Sequence, residues 1–399
     1  MLNLIFFDDE NRDSLLPLCY TRPVAEIRVG LLTIREKWCK ILNGRPSYLT
    51  SEYLSEKFPF RIDEDNIIIH GGLLPNDRLA RMIQQLDTNE ALTFNGELIA
   101  ARMDEEQLNN LTEANSKDEI RGFELEEIPF TTVSRLWHIF QHAATEIPLD
   151  IERITKGRKS AEISASNQVF GDNIFIEKTA KVRGAILNSE TGPIYLGPNT
   201  EVMEGSIIRG PFGLMEGSTV KMGAKIYGPT GIGEYCKVGG EINNVIFQGY
   251  SNKGHDGFLG NSVIGEWCNI GADSNNSNLK NNYDEVKLWQ YPSQRFEKTG
   301  TQFCGLFMGD HSKCGINTMF NTGTVVGVSA NVFGSGYPRN FIPSFAWGGA
   351  SGFQTFKIEK AFETANAMMT RRNKKLEDAD MAILEHIYSC SADFRKWEK

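Results

Sequence analysis

His255 lies in a glycine-rich run, Ser251-Asn252-Lys253-Gly254-His255-Asp256-Gly257-Phe258-Leu259-Gly260. An imidazole titrates near neutral pH, so it can take a proton from an amine or hydroxyl nucleophile and return it later. Asn269, within Cys268-Asn269-Ile270-Gly271-Ala272, follows 14 residues on, and Glu241 precedes His255 by the same spacing. Asn275-Asn276, Asn278 and Asn281-Asn282-Tyr283 complete an amide-rich segment. Amide donors aimed at a developing oxyanion or a sugar hydroxyl are what acyl transfer requires. The plainer readings are a structural histidine at a glycine corner and asparagines stacked as a ladder. Near the N-terminus Arg12, Arg22, Arg28 and Arg35 fall within one crossover. Guanidinium forks suit phosphate or carboxylate, and a solvated face accounts for the same residues. His138 and His142 are four apart, but no glutamate follows the first, so the H-E-x-x-H zinc pattern is absent. No P-loop, G-x-G-x-x-G or G-x-S-x-G occurs.

The elements that must position these groups show in the apolar spacing. Val202, Ile208, Leu214, Val220, Ile226, Ile232 and Val238 recur every six residues, and Phe258, Ile264 and Ile270 resume the period. Helices repeat near 3.6 and strands at 2, so this period predicts a solenoid of hexapeptide β-helix type with one inward aliphatic per face. An earlier phase runs through Ile176, Val182 and Ile194 with Asn188 as a break, and a weaker one returns at Leu306, Ile316 and Val325. Trp289-Gln290-Tyr291-Pro292 reads as an excursion from the coil.

Residues 1–150 read as an α/β domain, 151–168 as a linker, 169–345 as the β-helix, and 346–399 as a helical tail capping its open end. Arg371-Arg372 and Lys374-Lys375 in that tail read as a solvated helix face, with phosphate binding as the other option. Net charge is −9 without a long basic tract, which argues against nucleic acid as the main partner. No apolar run approaches a membrane span, and Leu2–Phe7 followed by Asp8-Asp9-Glu10 reads as a buried strand, not a signal peptide. Seven scattered cysteines without a C-x-x-C pair indicate free thiols in a reducing, cytoplasmic setting, with no metal site.

The ordered run Ser251–His255, Leu259-Gly260, Asn269–Ala272 and Asn282-Tyr283-Asp284 resembles the acetyltransferase half of the bifunctional GlmU family. That family combines glucosamine-1-phosphate acetyltransferase and N-acetylglucosamine-1-phosphate uridyltransferase. The resemblance implies a left-handed β-helix that assembles as a homotrimer, with acetyl-CoA as co-substrate. It places a general base on His255, substrate-positioning amides on Asn269 and Asn282, and further site residues on Glu241 and Tyr283. Backbone near Ala272 would meet the acyl-CoA. Asn243 stands where the family has a lysine, Lys225 where it has an arginine, Phe258 for a tyrosine and Asp273 for a glycine. Lys225, Lys253 and Lys287 would then have to grip a sugar phosphate. Arg12–Pro17 and Thr21-Arg22-Pro23 resemble the nucleotidyltransferase half, but Asp8–Asn11 replaces its phosphate-cradling glycines. His70-Gly71-Gly72 stands where that half has its magnesium aspartate.

The whole chain is similar to a divergent GlmU-like family of sugar nucleotidyltransferases. The implied activity is acetyl-CoA-dependent N-acetylation of an amino-sugar phosphate of the glucosamine 1-phosphate type, or of a nucleotide-linked amino sugar, as in UDP-N-acetylglucosamine biosynthesis. The first domain, if active as a nucleotidyltransferase, would use Mg2+, with Arg12, Arg22 and Arg28 on the nucleotide. Two other readings stand beside this one: nucleotidyl transfer with the β-helix as scaffold, and sugar-nucleotide binding without chemistry. A β-helix carbonic anhydrase needs three histidine ligands, and only His255 and His311 lie in the solenoid.

Overall fold

Most strands of this chain are too short to be stable alone, and they hold only because each is paired with a neighbouring stretch of backbone. The computed structural model describes residues 2–112, 120–126 and 130–399. It separates into two compact units, the first comprising 1–15, 21–27 and 32–134, the second 16–20, 28–31 and 135–399.

The first unit is built on a six-stranded sheet in the order Gly44–Leu49, Leu2–Phe7, Asn66–His70, Glu97–Met103, Glu90–Phe94, Arg121–Glu124. The first three strands run parallel, while Glu97–Met103 is antiparallel to both neighbours. Leu2–Phe7 is buried from Asn3 to Phe6, as a central strand of a covered sheet requires, and Asn3 within it donates to Asn66 Oδ1 at 2.8 Å. Helix Ile34–Leu42 begins with a capping box between Thr33 and Glu36 and ends on Asn43 in the left-handed region. It buries Trp38, whose indole donates to the Leu73 carbonyl at 2.7 Å.

In the second unit the chain winds as a left-handed parallel β-helix with three flat faces. The first face carries the buried row Val182, Val202, Val220, Val238, Lys253, Ile270, Cys314 and Val332. The second carries Leu187, Ile208, Ile226, Ile242 and Leu259, and the third Leu214, Ile232, Phe247, Ile264, Met308 and Val326. One inward side chain per face per turn gives the six-residue period. Two assignments are corrected. Leu259, 2% exposed and level with Ile242, faces inward where the spacing had suggested Phe258. After the excursion the period runs through Met308, Cys314, Phe320, Val326 and Val332, whereas Ile316 is 71% exposed and Val325 stands outside this core. Thiol, thioether and phenyl groups fill the positions that an aliphatic pattern misses.

Corners need the left-handed region, and one column of them is aromatic. Tyr235, Tyr250, Trp267 and His311 all have φ between 53° and 60° and stack with centroids 5.4, 4.4 and 6.4 Å apart. Beside that column Ser218 and Ser251 bridge coils, each hydroxyl donating to a carbonyl at 2.7 Å and accepting from the amide of a cysteine at 2.8 Å. The excursion is the hairpin Lys287–Gln290 with Arg295–Lys298, and Trp289 stacks on Phe341 at 4.2 Å. Antiparallel strands Ala346–Gly349 and Gly352–Thr355 close the first face, followed by helices Ile358–Thr370 and Asp378–Cys390.

Helix Ala143–Thr155 runs into the stretch read as a linker and packs on the third face. Its buried Asp150 accepts from the Leu31 amide at 2.9 Å. Arg28 is corrected from a nucleotide ligand to a structural staple. Its amide donates to Gln248 Oε1 at 2.7 Å, its Nε to the Gln248 carbonyl at 3.0 Å, and its guanidinium pairs with Glu234. Among the described residues no helix is long and apolar enough to cross a membrane.

Because Leu259 and not Phe258 fills the coil, Leu259→Ala should cost about 2–5 kcal/mol and Phe258→Ala under about 1.5 kcal/mol. Urea unfolding of the two variants checks the assignment, and equal losses would reverse it.

Candidate active site

His255 occupies the corner between the first and second faces, and the coil beneath is shortened there. Neighbouring turns take six residues from one inward position to the next at this corner, but Val238 to Ile242 takes four. The corner Gly239-Gly240 is therefore a notch. A Cβ on Gly240 would lie 2.8 Å from the His255 carbonyl oxygen, so only glycine lets the two corners stack so closely. Above, Gly257 at φ 110° lies against Ser274, whose carbonyl would be 2.2 Å from an added Cβ. The Asp273 amide donates to the Asp256 carbonyl at 3.0 Å. His255 is held by backbone on both sides and its side chain is exposed.

A groove of about 710 Å3 crosses the outward side of the first face from the aromatic corner to the His255 corner. Tyr250 and Trp267 stand at one end, and His255, Gly271 and Ala272 at the other. Between them lies the outward row Lys237, Asn252, Asn269 and Lys313, set side by side by the parallel register. The end of helix Ile358–Thr370 borders it with Met368, Arg371 and Arg372, and Arg372 reaches Asn252 at 3.4 Å. Lys221, Lys237, Lys313, Arg371 and Arg372 line the groove, and no acidic side chain among the described residues does. Burial and then the nearby Arg372, Lys221 and Arg371 push the Lys237 ammonium below its ordinary range. Cations crowded without a counter-charge make an anion site.

The structure thus brings together His255, Asn269 and Ala272. Lys225 and Glu241 lie around the corner on the second face, in register with each other and with Phe258. Glu241 accepts from the Tyr227 hydroxyl at 2.6 Å, and that bond, with burial, raises the Tyr227 pKa. Asn282, Tyr283 and Lys287 belong to the excursion, are exposed, and do not line the groove. Lys253 is the clear correction among the expected phosphate ligands. It is 1% exposed, and its Nζ donates inward to the carbonyls of His255 at 2.7 Å and Asp256 at 3.2 Å. Burial pushes its pKa down to about 8, against the opposing pull of Asp256, Cys314 and Asp273.

Lys221, Lys237, Lys313, Tyr250 and Trp267 are not singled out by sequence motifs. A signal existed, since Lys237 and Lys313 each immediately precede an inward residue and must face out on the same side as Asn269. Arg371 and Arg372, expected on a solvated face, border the groove.

In the first unit, Asp8, Asp9, Asn11, Arg12 and His70 cluster at the ends of the central strands. Asp8 accepts from the Val24 amide at 2.9 Å and from Thr50 at 2.6 Å, with Arg12 at 3.4 Å. Burial raises its pKa despite these partners. Burial also acts to raise the Asp9 pKa, but hydrogen bonds from His70 and Asn11 outweigh it and hold the carboxyl low. His70 lies 3.1 Å from Asp9, and Arg12 donates to Tyr53 at 2.6 Å. Arg12 and Arg22 are both buried, 8% and 6% exposed. These carboxylates are committed within the protein, and among the described residues no three acidic, histidine or cysteine side chains gather as a metal site. The residues present do not fit the magnesium site that a nucleotidyltransferase would require.

Fold and site define a class: an α/β domain joined to a hexapeptide β-helix with a histidine corner beside a cationic groove. Residues 4–159 match the model of the family described as sugar nucleotidyl transferase. No curated protein sequence matches. Among solved structures, the polySia-specific acetyltransferase NeuO is 14% identical, covering 48% of this chain and 87% of its own, with a TM-score of 0.27. A hexapeptide transferase family protein from Anaplasma phagocytophilum is 13% identical, covering 55% and 96%, with a TM-score of 0.19. The UDP-N-acetylglucosamine acyltransferase from Campylobacter jejuni is 13% identical, covering 55% and 82%, with a TM-score of 0.27. Likeness at this level carries no activity across.

The buried Lys253 ammonium makes stability depend on pH. Its folded pKa lies below the ordinary 10.5, so between about 8 and 10.5 the unfolded chain binds more protons. Relative to Lys253→Met, the wild type should gain up to about 3 kcal/mol as pH rises through that window, and nothing below it. Denaturant titrations of both proteins at pH 7 and 10 measure this gap.

Proposed function

We propose that this protein transfers an acyl group, acetyl in the first instance, from acyl-CoA to the amine of a sugar. The acceptor class is an amino-sugar phosphate of the glucosamine 1-phosphate type or a nucleotide-linked amino sugar. The observation that carries the reading is the groove that joins His255, Asn269 and Ala272 to five cationic side chains, with no acidic one among the described residues. Acyl-CoA is a long thioester with several phosphate charges at one end. Those charges suit Arg371, Arg372 and Lys237 near the aromatic corner. The thioester then reaches the His255 corner, where apolar Ile270 and Ile316 border the groove.

The acceptor would approach from the second face, past Lys225 and Glu241. His255 takes a proton from the attacking amine as nitrogen bonds to the acyl carbon. The amide of Asn269 and the backbone near Ala272 stabilise the oxyanion, and the C–S bond then breaks. The thiolate leaves and takes up a proton. A single base contributes roughly 10²–10⁴-fold. The trimer implied by the sequence resemblance belongs to the same reading.

A second reading follows from the family of residues 4–159. There the α/β domain transfers a nucleotide to a sugar 1-phosphate and the β-helix is a scaffold. The closed Asp8–Arg12 cluster weighs against it, since every cationic and acidic group there already has a protein partner.

Thiol release from acetyl-CoA across glucosamine 1-phosphate and UDP- and dTDP-linked amino sugars tests the first reading. His255→Ala should lower kcat by about 10²–10⁴-fold. Activity that survives this substitution within a few fold would refute the role given to His255. Arg371→Ala combined with Arg372→Ala should raise KM for acetyl-CoA about 10-fold or more, less so at high salt, with kcat little changed. Pyrophosphate release from UTP or dTTP with a sugar 1-phosphate, abolished in Arg12→Ala, would instead favour the second reading.

A further inference from the structure

We infer that Lys253 is a positioning residue, which from inside the solenoid fixes the corner that presents His255. The inference rests on the acyltransfer reading only for its kinetic consequence.

The inward row of the first face is aliphatic on both sides of this lysine, with Val238 below and Ile270 above. A charged group in such a row opposes folding, and an apolar residue of similar volume would pack there at less cost. The fold therefore gives no reason for lysine. The corner does. Two consecutive carbonyls, those of His255 and Asp256, turn inward onto the ammonium at 2.7 and 3.2 Å. A corner whose peptide groups point into the core must send the intervening side chains out, which is where His255 is found.

The next buried position of the second face repeats the device. Asn276, 4% exposed and in register with the inward Phe320, accepts from the Gly260 amide at 2.8 Å and donates to the Gly260 carbonyl at 3.0 Å. Lys253 and Asn276 thus replace hydrocarbon on adjacent faces, and both spend their polar groups on the backbone of 255–260. With the Gly239-Gly240 notch beneath and Gly257 closed against Ser274 above, the loop is restrained from three directions. None of these contacts touches substrate. They act through the placement of His255, and a displacement of about 1 Å at a reacting group is worth roughly 10²-fold in rate.

The test uses the full chain with Lys253→Met and Lys253→Gln, the second keeping an N–H donor. Imidazole NMR signals are assigned by His255→Ala. The signals of His255 should broaden or split in Lys253→Met and partly recover in Lys253→Gln, while those of the other histidines stay in place. In parallel, kcat for acyl transfer should fall about 10–100-fold in Lys253→Met, with KM for acetyl-CoA within about threefold of wild type. Folded Lys253→Met with unaltered His255 signals overturns the inference, whatever the activity. A perturbed His255 signal in a protein that shows no acyl transfer even as wild type upholds the positioning role and sinks the acyltransfer reading instead. Should Lys253→Met fail to fold, Lys253→Gln decides: broadened or split His255 signals uphold the inference, and signals identical to wild type overturn it.

Discussion

Everything in the larger unit depends on one constraint, the parallel backbone ladder from coil to coil. Each turn can be satisfied only if the next lies in register above it, and register is held by a single buried side chain per face. Strands of two or three residues are stable in this arrangement because neighbouring turns supply both hydrogen bonds and apolar cover. The same constraint lines up outward positions. Lys237, Asn252, Asn269 and Lys313 come from residues far apart in sequence, yet the ladder sets them side by side in one row. A continuous binding groove follows from the fold without any loop having to be shaped for it.

Function enters where the regularity is broken. The coil after Val238 is short at one corner, glycines fill the gap, and the corner above settles onto it. In that same place the core admits an ammonium and an amide. Buried polar groups of this kind are tolerated only when their donors and acceptors are met, and here the partner is the loop itself. The departures from a uniform solenoid are concentrated within a few coils, while the turns from Val202 to Val238 keep the six-residue step at all three faces.

The β-helix was legible because its period matches no other element, and the His255 corner because its residues fall in a recognisable order. What escaped had physical causes. Leu259 was passed over for its neighbour because two large apolar residues stand together and only the register with Ile242 separates them. Cys314 and Phe320 hid the later coils, since neither residue type announces an inward position. Lys253 looked like a solvent-facing cation because residue type alone does not reveal that its place is in the valine row. Arg28 looked like an anion ligand, but its partners Gln248 and Glu234 are more than 200 residues away in sequence. Long-range pairing of that kind leaves no local trace.

The end of helix Ile358–Thr370 closes the groove with Met368, Arg371 and Arg372, while every other residue lining it precedes residue 317. During synthesis the coils and the His255 corner are therefore made well before the two arginines that complete the anion site. A nascent chain can wind its solenoid turn by turn and still present an open, weakly binding face. Only when the last helices dock does the groove acquire its full charge, so the site is assembled last although most of its parts are made early.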